Sequence, residues 1–187
     1  MPVEAELKAR VRSPEEVVAR LDGWAEPRVE VYRDTYYDRP GEVLGRADQE
    51  LRVRTVHNSG SGDTRTVLTF KAAAVDEGSG SKPEYETHVD DADATHAILR
   101  GLGYVEVIAF EKHCRNYSFV AHGRRMLATL VRVPELDGTF IELEAIVDAS
   151  EVGAALEDVR SVLAELGIAG EDLTRETYTS AVAARRG

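Results

Sequence analysis

Residues 3–11, "VEAELKARV", alternate without a break. Val3, Ala5, Leu7, Ala9 and Val11 fall on one side and Glu4, Glu6, Lys8 and Arg10 on the other. Strand side chains repeat every two residues, so this is a β-strand with one apolar and one ionic face. "RVEVYRDTYYD", "QELRVRTV" and "TRTVLTFKAAA" are rich in β-branched or aromatic residues and are parted by "RPGE" and "HNSGSGD", which predict hairpin connections. "KPEYETHV", "YVEVIAFEKHCRNYSFV", "RRMLATLVRV" and "TFIELEAIV" supply further strands. The pattern changes to helical spacing in "SPEEVVARL", where Ser13 is the expected N-cap, Pro14 takes the first helical position and Glu16 completes a capping box. "DDADATHAILRGLG" predicts a second helix, opened by Asp and ended before Gly103. Val152, Leu156, Val159, Leu163 and Leu166 predict a third, stopped by Gly167, and "EDLTRETYTSAVAARR" is a last amphipathic segment. Strand, helix, strands occurs twice. This predicts an α+β fold, one domain over residues 1–187, whose halves close into a single antiparallel sheet or barrel. The stretch "DEGSGS" between the halves reads as a mobile loop, because neither side has enough strands to stand alone.

The polar faces form a pattern of their own. They carry Glu4 and Glu6, Arg52 and Arg54, Thr69 and Lys71, Lys82 with Glu84 and Glu86, Lys112, and Glu142 with Glu144. Glu-x-Glu occurs on three strands, interleaved with strands that present Arg or Lys, whereas a casually solvated surface mixes signs within each strand. If the sheet closes, these faces meet inside it and the helices cover apolar outer faces, an inversion of the usual small barrel. Desolvated charges must be paired or metal-bound, so such an interior is tolerable as a wet tunnel whose acids and bases share a polyanion and divalent ions. Carboxylates are the ligands Mg²⁺ and Mn²⁺ prefer, and Arg and Lys suit phosphate.

Composition narrows the alternatives. With 43% hydrophobic and 30% charged residues the 187-residue chain is globular. A net charge of −11 argues against a nucleic-acid partner, whose phosphates need clustered Lys and Arg. Residues 149–172 carry Glu151, Glu157, Asp158, Glu165, Glu171 and Asp172 against Arg160 alone, while "ELRVRT" and "FEKHCRNY" are basic, as an acidic exterior around a basic interior would be. No apolar run approaches the roughly 20 residues of a membrane span, and "MPVEAELK" lacks the layout of a signal peptide, so a cytoplasmic protein without a membrane partner is expected. Cys114 is the sole cysteine and reads as a packing residue. His57, His88, His96, His113 and His122 show no metal-ligand spacing, Tyr36, Tyr37 and Tyr117 read as wall or core aromatics, and no Gly-rich phosphate loop opens a helix. A phosphate site must therefore be built from side chains.

These residues resemble a known family. "VEAELK" matches the Glu-x-Glu-x-Lys signature of CYTH proteins, the triphosphate tunnel metalloenzymes, and the resemblance continues in order through "TYYD", "LRVR", "LTFK", "EYE", "AILRGLGY", "FEKHCRNYSF" and "TFIELE". "AFEKHCRNYSF" and the Thr-Tyr pair near the C-terminus look most like the class IV adenylyl cyclase branch. The resemblance implies a closed eight-stranded antiparallel tunnel with helices outside, Mg²⁺ or Mn²⁺ on Glu4, Glu6, Glu142 and Glu144, and catalysis by Glu4, Glu6 and Lys8. It implies triphosphate binding by Lys8, Arg52, Arg54, Lys71, Lys112 and Arg115, with Glu84 and Glu86 as further tunnel acids. There are two departures. Lys82 stands where the family often has Arg, keeping the charge but losing the bidentate fork. Val131, in "TLVRVPELDGTF", falls where an acidic metal ligand is usual, with Glu135 and Asp137 as substitutes within reach along the chain. The leading expectation is a metal-dependent cyclase turning ATP into cyclic AMP and pyrophosphate. A triphosphatase acting on thiamine, inorganic or nucleotide triphosphate is the alternative, and Val131 keeps a catalytically weak triphosphate binder in view. The partner is thus a triphosphate, with a homodimer as a candidate assembly.

Overall fold

The computed structural model describes residues 2–75 and 81–187. The expected loop "DEGSGS" therefore lies outside the described residues except for Ser81. The strands are β1 (Pro2–Val11), β2 (Arg28–Asp38), β3 (Glu50–Asn58), β4 (Thr64–Lys71), β5 (Lys82–Val89), β6 (Val105–Ala121), β7 (Arg124–Arg132) and β8 (Thr139–Asp148). They close into a barrel in the order β1-β5-β4-β3-β2-β6-β7-β8, every pair antiparallel. The helices are α1 (Pro14–Asp22), α2 (Val43–Arg46), α3 (Ala92–Gly101), α4 (Val152–Glu165) and α5 (Tyr178–Arg186).

The barrel is inside out, as the alternation in β1 requires. Val3, Ala5, Leu7 and Ala9 point outward with Ile141, Leu143 and Ala145 of β8, and α4 covers them with Ala155, Leu156, Val159, Val162 and Leu163, while α1 adds Val17 and Leu21. Fully burying each large aliphatic side chain stabilises the fold by about 1.5–3 kcal/mol, so the main core lies between barrel and helices. A smaller outer cluster joins Tyr37, Leu51 and Val53 to Leu99 of α3. The third cluster is inside. Tyr36, Ile108, Phe110, Cys114, Val131, Val133 and Phe140 pack against Tyr178 and Val182, so α5 stops one end of the barrel with an apolar plug.

One local expectation needs correction, and two gain detail. Ser13 precedes α1 but its side chain caps nothing, because its backbone sits at φ −124°, ψ 78° and no capping box forms. The "RPGE" connection does join neighbouring antiparallel strands, but it is long and holds a helical turn: Asp38 accepts from the backbone N–H groups of Arg39, Leu44 and Gly45 at 2.6, 2.8 and 2.9 Å and so organises α2. Within the final amphipathic segment, Tyr178–Arg186 forms the α-helix. Before it, Leu173 bridges to Ala9, Thr174 N–H donates to Lys8 O at 2.9 Å, and the Glu176 carbonyl accepts from Lys8 Nζ. The open edge at the end of β1 outbids helix formation there by satisfying backbone groups directly.

Candidate active site

Inside the barrel, ahead of the plug, lies a cavity of about 660 Å³. Period two fills it: β1 contributes Glu4, Glu6 and Lys8, β2 Glu30, Tyr32 and Tyr36, β3 Arg52 and Arg54, β5 Glu84 and Glu86, and β8 Glu142 and Glu144. Among the described lining residues, eight Glu face seven Lys or Arg. A purely basic channel would suit an anion alone; this mixture suits an anion together with cations.

The acids concentrate where β1 meets β8. Glu6 lies directly across from Glu144 and Lys8 from Glu142. Carboxylate oxygens of Glu4, Glu6 and Glu144 come within 4.8 Å of one another. Burial pushes the Glu6 carboxyl up to about 8, aided by the charges of Glu4 and Glu142. Glu144 is likewise held well above the carboxylate range by burial and by Glu4 and Glu6. Glu4 escapes: burial pushes it up too, but the Lys71 ammonium it bonds outweighs this and brings it to about 2. Three hard oxygen donors, two of them kept protonated by burial and mutual repulsion, form a set that fits Mg²⁺ or Mn²⁺, whose charge would relieve that repulsion. Glu142 stands one step deeper on β8, beside Lys8 and outside this trio.

The cations concentrate on the opposite wall. Arg54 grips Asp34 through two bonds, Nε to Oδ1 at 2.6 Å and Nη2 to Oδ2 at 2.7 Å, and Lys112 Nζ lies 3.6 Å from Oδ2. Asp34 is 0% exposed at its side chain, and although burial raises its pKa, Arg54 and Lys112 hold it far below the usual range. One anion thus fixes two cations and leaves the wall net positive once Arg52 is added. Arg52 is held by Thr69 at 3.4 Å and Glu84 at 3.9 Å, yet its Nε is buried with no hydrogen-bond partner among the described residues, as is the Tyr178 hydroxyl. The Tyr178 ring sits between two ammonium groups, Lys8 and Lys112, each 4.4 Å from its centroid. Nearer the open mouth, Glu30 is neutralised by Arg65 at 2.8 Å and accepts a further hydrogen bond from the Asn116 amide at 2.8 Å.

Of the residues expected from sequence, Glu4, Glu6, Lys8, Arg52, Arg54, Lys71, Glu84, Glu86, Lys112, Glu142 and Glu144 all line this cavity. Arg115 does not. It is three residues from Lys112 on an unbroken stretch of β6, so it points outward, donating to Tyr117 Oη at 2.6 Å and to Asp22 at 3.2 Å. Lys82 has the inward parity but lies at the plugged rim, where Asp48 holds it through its backbone carbonyl at 2.6 Å and Oδ1 at 2.7 Å. Val131 faces inward and is 0% exposed, yet it pairs with Phe140 in the plug, while Thr129 and Leu127 are the β7 residues opposite Glu142 and Glu144. Glu135 and Asp137 supply no substitute ligand, being paired with Arg186 at 2.7 Å and Arg185 at 3.2 Å on α5. Of the three tyrosines, Tyr36 lines the tunnel, whereas Tyr37 bonds His96 of α3 and Tyr117 bonds Asp22, both outside. Asp34 and Glu30 were not expected, and Tyr178 was noted only within the Thr-Tyr pair, without a place in the tunnel. The alternation of "RVEVYRD", with Glu30, Tyr32 and Asp34 on one parity, carries the signal for the first two, while Tyr178 needs the tertiary path of α5.

Known proteins resemble this chain in sequence and fold. A protein of Methanocaldococcus jannaschii named "Putative adenylate cyclase MJ0240" is 25% identical over 179 residues, covering 94% of this chain and 96% of that one. The structure of the PH1819 protein from Pyrococcus horikoshii OT3 superposes with a TM-score of 0.82 at 28% identity, over 98% of this chain and 99% of that one. HpAC1 from Hippeastrum, whose structure is described as revealing a dominant triphosphatase activity, shares the fold at 16% identity and a TM-score of 0.67, over 98% and 96% of the two chains. The CYTH domain pattern matches residues 3–178, from the residue before the first tunnel acid to the tyrosine between two lysines, and on that span the chain belongs to the CYTH domain family.

Proposed function

We propose that this protein is a divalent-metal-dependent enzyme that binds the triphosphate of ATP in its tunnel and forms cyclic AMP and pyrophosphate. The observation that carries the reading is the opposition, across one cavity, of the Glu4, Glu6 and Glu144 cluster and the Arg52, Arg54 and Lys112 wall. A family match and a relative named for adenylate cyclase support it. In the reaction the ribose 3′-oxygen bonds to the α-phosphorus, the bond from that phosphorus to the α,β-bridging oxygen breaks with the oxygen departing on pyrophosphate, and the hydroxyl proton passes to solvent water. Mg²⁺ or Mn²⁺ on the acid cluster supplies Lewis-acid stabilisation of phosphate charge. The chain's own part is electrostatic: Arg52, Arg54, Lys112 and Lys8 hold the phosphate chain and offset the charge that grows on departing pyrophosphate. Asp34 and Tyr178 keep those cations in place, and the plug excludes water from the deep end.

A second reading, hydrolysis of the triphosphate, has one observation in its favour: the ionic groups in the tunnel address phosphate and metal, and none of them requires a base. The expectation of a weak binder rested on Val131 replacing a ligand; with Val131 in the plug, that support is gone. Incubation with ATP and Mn²⁺, with products separated chromatographically, tests the proposal. Cyclic AMP with equimolar pyrophosphate is the predicted result, orthophosphate with ADP would replace cyclisation by hydrolysis, and no product in Mn²⁺ or Mg²⁺ would overturn both.

A further inference from the structure

The wall of the tunnel is split. β7 and β8 are paired only from Leu127 opposite Glu144 to Val131 opposite Phe140, although β7 begins at Arg124 and β8 runs on to Asp148. Over the missing stretch β8 stays paired with β1, through Pro2 opposite Asp148, and β7 stays paired with β6, through Ala121 opposite Arg124. The β6–β7 hairpin has therefore peeled away from β8, and its tip is tied elsewhere. Arg124 Nε donates to Asp158 at 2.8 Å and Nη1 to Glu151 at 3.3 Å, and His122 lies 3.3 Å from Glu165. These acids belong to α4 and the turn before it, so the tip leans onto the outer layer and a slot opens between the two strands.

The slot is a cavity of about 600 Å³, within the roughly 300–1,000 Å³ of small-molecule sites. Its lining is largely apolar, with Val120, Met126, Leu127, Ala145 and Ile146, and Ser118 and Arg125 at its polar side. Val120 and Ile146 are 70% and 57% exposed there, a placement with no role in the core. Leu127, Glu144 and Ile146 line both the slot and the ionic tunnel, so the two cavities meet at the acid cluster.

Resting on the triphosphate reading above, we infer that the slot seats the organic group of an organic triphosphate, a nucleoside, whose phosphate chain lies in the tunnel. The geometry assigns it: beyond its first phosphorus a nucleoside triphosphate changes from polyanion to an uncharged sugar and a flat base, and the cavity changes from ionic to largely apolar at Glu144. A bare inorganic triphosphate would leave the slot unused. The inference makes organic triphosphates the preferred class, and Val120, Leu127 and Ile146 residues that set specificity.

Calorimetry in EDTA, where metal-assisted turnover is absent, tests this with ATP and inorganic tripolyphosphate as probes. The proteins are the parent, Val120→Ser and Ile146→Ser; both positions are exposed, so folding is unaffected, and melting curves check this. The predicted result is that the parent binds ATP about tenfold or more tighter than tripolyphosphate, and that the two substitutions together remove most of that preference without weakening tripolyphosphate. Equal affinity for the two probes, or a preference the substitutions leave intact, overturns the slot as a nucleoside site while the tunnel reading stands. Failure of tripolyphosphate to bind in EDTA and again with Mn²⁺ overturns the tunnel reading itself, and the slot proposal with it.

Discussion

Glu6→Gln changes a charge at the most crowded point of the tunnel without changing shape. The Glu6 carboxyl is pushed from 4.5 to about 8 by burial and by its neighbours Glu4 and Glu142. The folded protein therefore keeps a proton that the unfolded chain releases near its ordinary value, and the unfolding free energy falls as pH rises from 4.5 through 8. At about 1.36 kcal/mol per pH unit the full displacement corresponds to about 5 kcal/mol above pH 8. Glu6 faces an open cavity that screens part of this, and we take about 2–3 kcal/mol as the amount that neutral Gln restores. For a chain of this size that is a rise in Tm of about 4–12 °C. The assay is thermal unfolding of metal-free protein at two pH values, one near 5 and one near 8.5. The two proteins are predicted to melt alike at the acid value and to differ at the alkaline one, with the variant higher. Adding Mn²⁺ at alkaline pH should then raise the parent strongly and the variant little, because only the parent gains a ligand from the charge it held. Equal Tm values at both pH values, or a variant that melts lower at alkaline pH, would refute the electrostatic account of the cluster.

Asp34→Asn strands Arg54 and Lys112 beside a neutral amide and should cost about 3–5 kcal/mol in urea unfolding, whereas a loss below about 1 kcal/mol would show that the anion is not what fixes those cations. Because the Asp34 carboxyl is held far below its ordinary 3.8, its contribution is complete at neutral pH and fades only as pH falls below that value. Val131→Asp, attractive from sequence as a restored ligand, should instead destabilise the protein by about 3 kcal/mol or more and lower turnover, since the carboxylate would be buried against Phe140 and the plug; a gain in Mg²⁺-supported turnover would return Val131 to the metal site. Lys112→Ala should weaken tripolyphosphate binding by about 1.5–3 kcal/mol in calorimetry while Arg115→Ala leaves it unchanged, and equal losses would contradict the inward and outward assignment on β6.

Much of this architecture is written in the alternation of single strands. Glu4, Glu6 and Lys8 share a parity opposite Val3, Ala5 and Leu7, and the recurrence of such faces on successive strands is enough to turn the barrel inside out. The same rule, carried through β6, separates Lys112 from Arg115, and carried through β2 it finds Asp34; the family pattern drew attention to residue type and away from parity. Other features were not local. Val131 satisfies every strand rule and still faces a plug rather than a metal cluster, because the occupant of that end is α5, some 50 residues later in the chain. Tyr178 stands out in sequence only through the Thr-Tyr pair of the family resemblance, and tertiary packing alone sets its ring between Lys8 and Lys112. Ser13 carries a capping box in sequence, but the backbone entering α1 from β1 aims it elsewhere. The slot between β7 and β8 depends on ion pairs from the β6–β7 tip to α4, a contact that no strand pattern contains.

The central claim, that the tunnel joins a metal cluster to a triphosphate wall, is tested most directly by diffraction from crystals grown with MnCl₂ and tripolyphosphate, using the anomalous signal of Mn²⁺. A Mn²⁺ peak among the carboxylates of Glu4, Glu6 and Glu144, with phosphate density reaching Arg52, Arg54 and Lys112, is the predicted result. Mn²⁺ bound only at surface acids, with the tunnel free of phosphate, would contradict it.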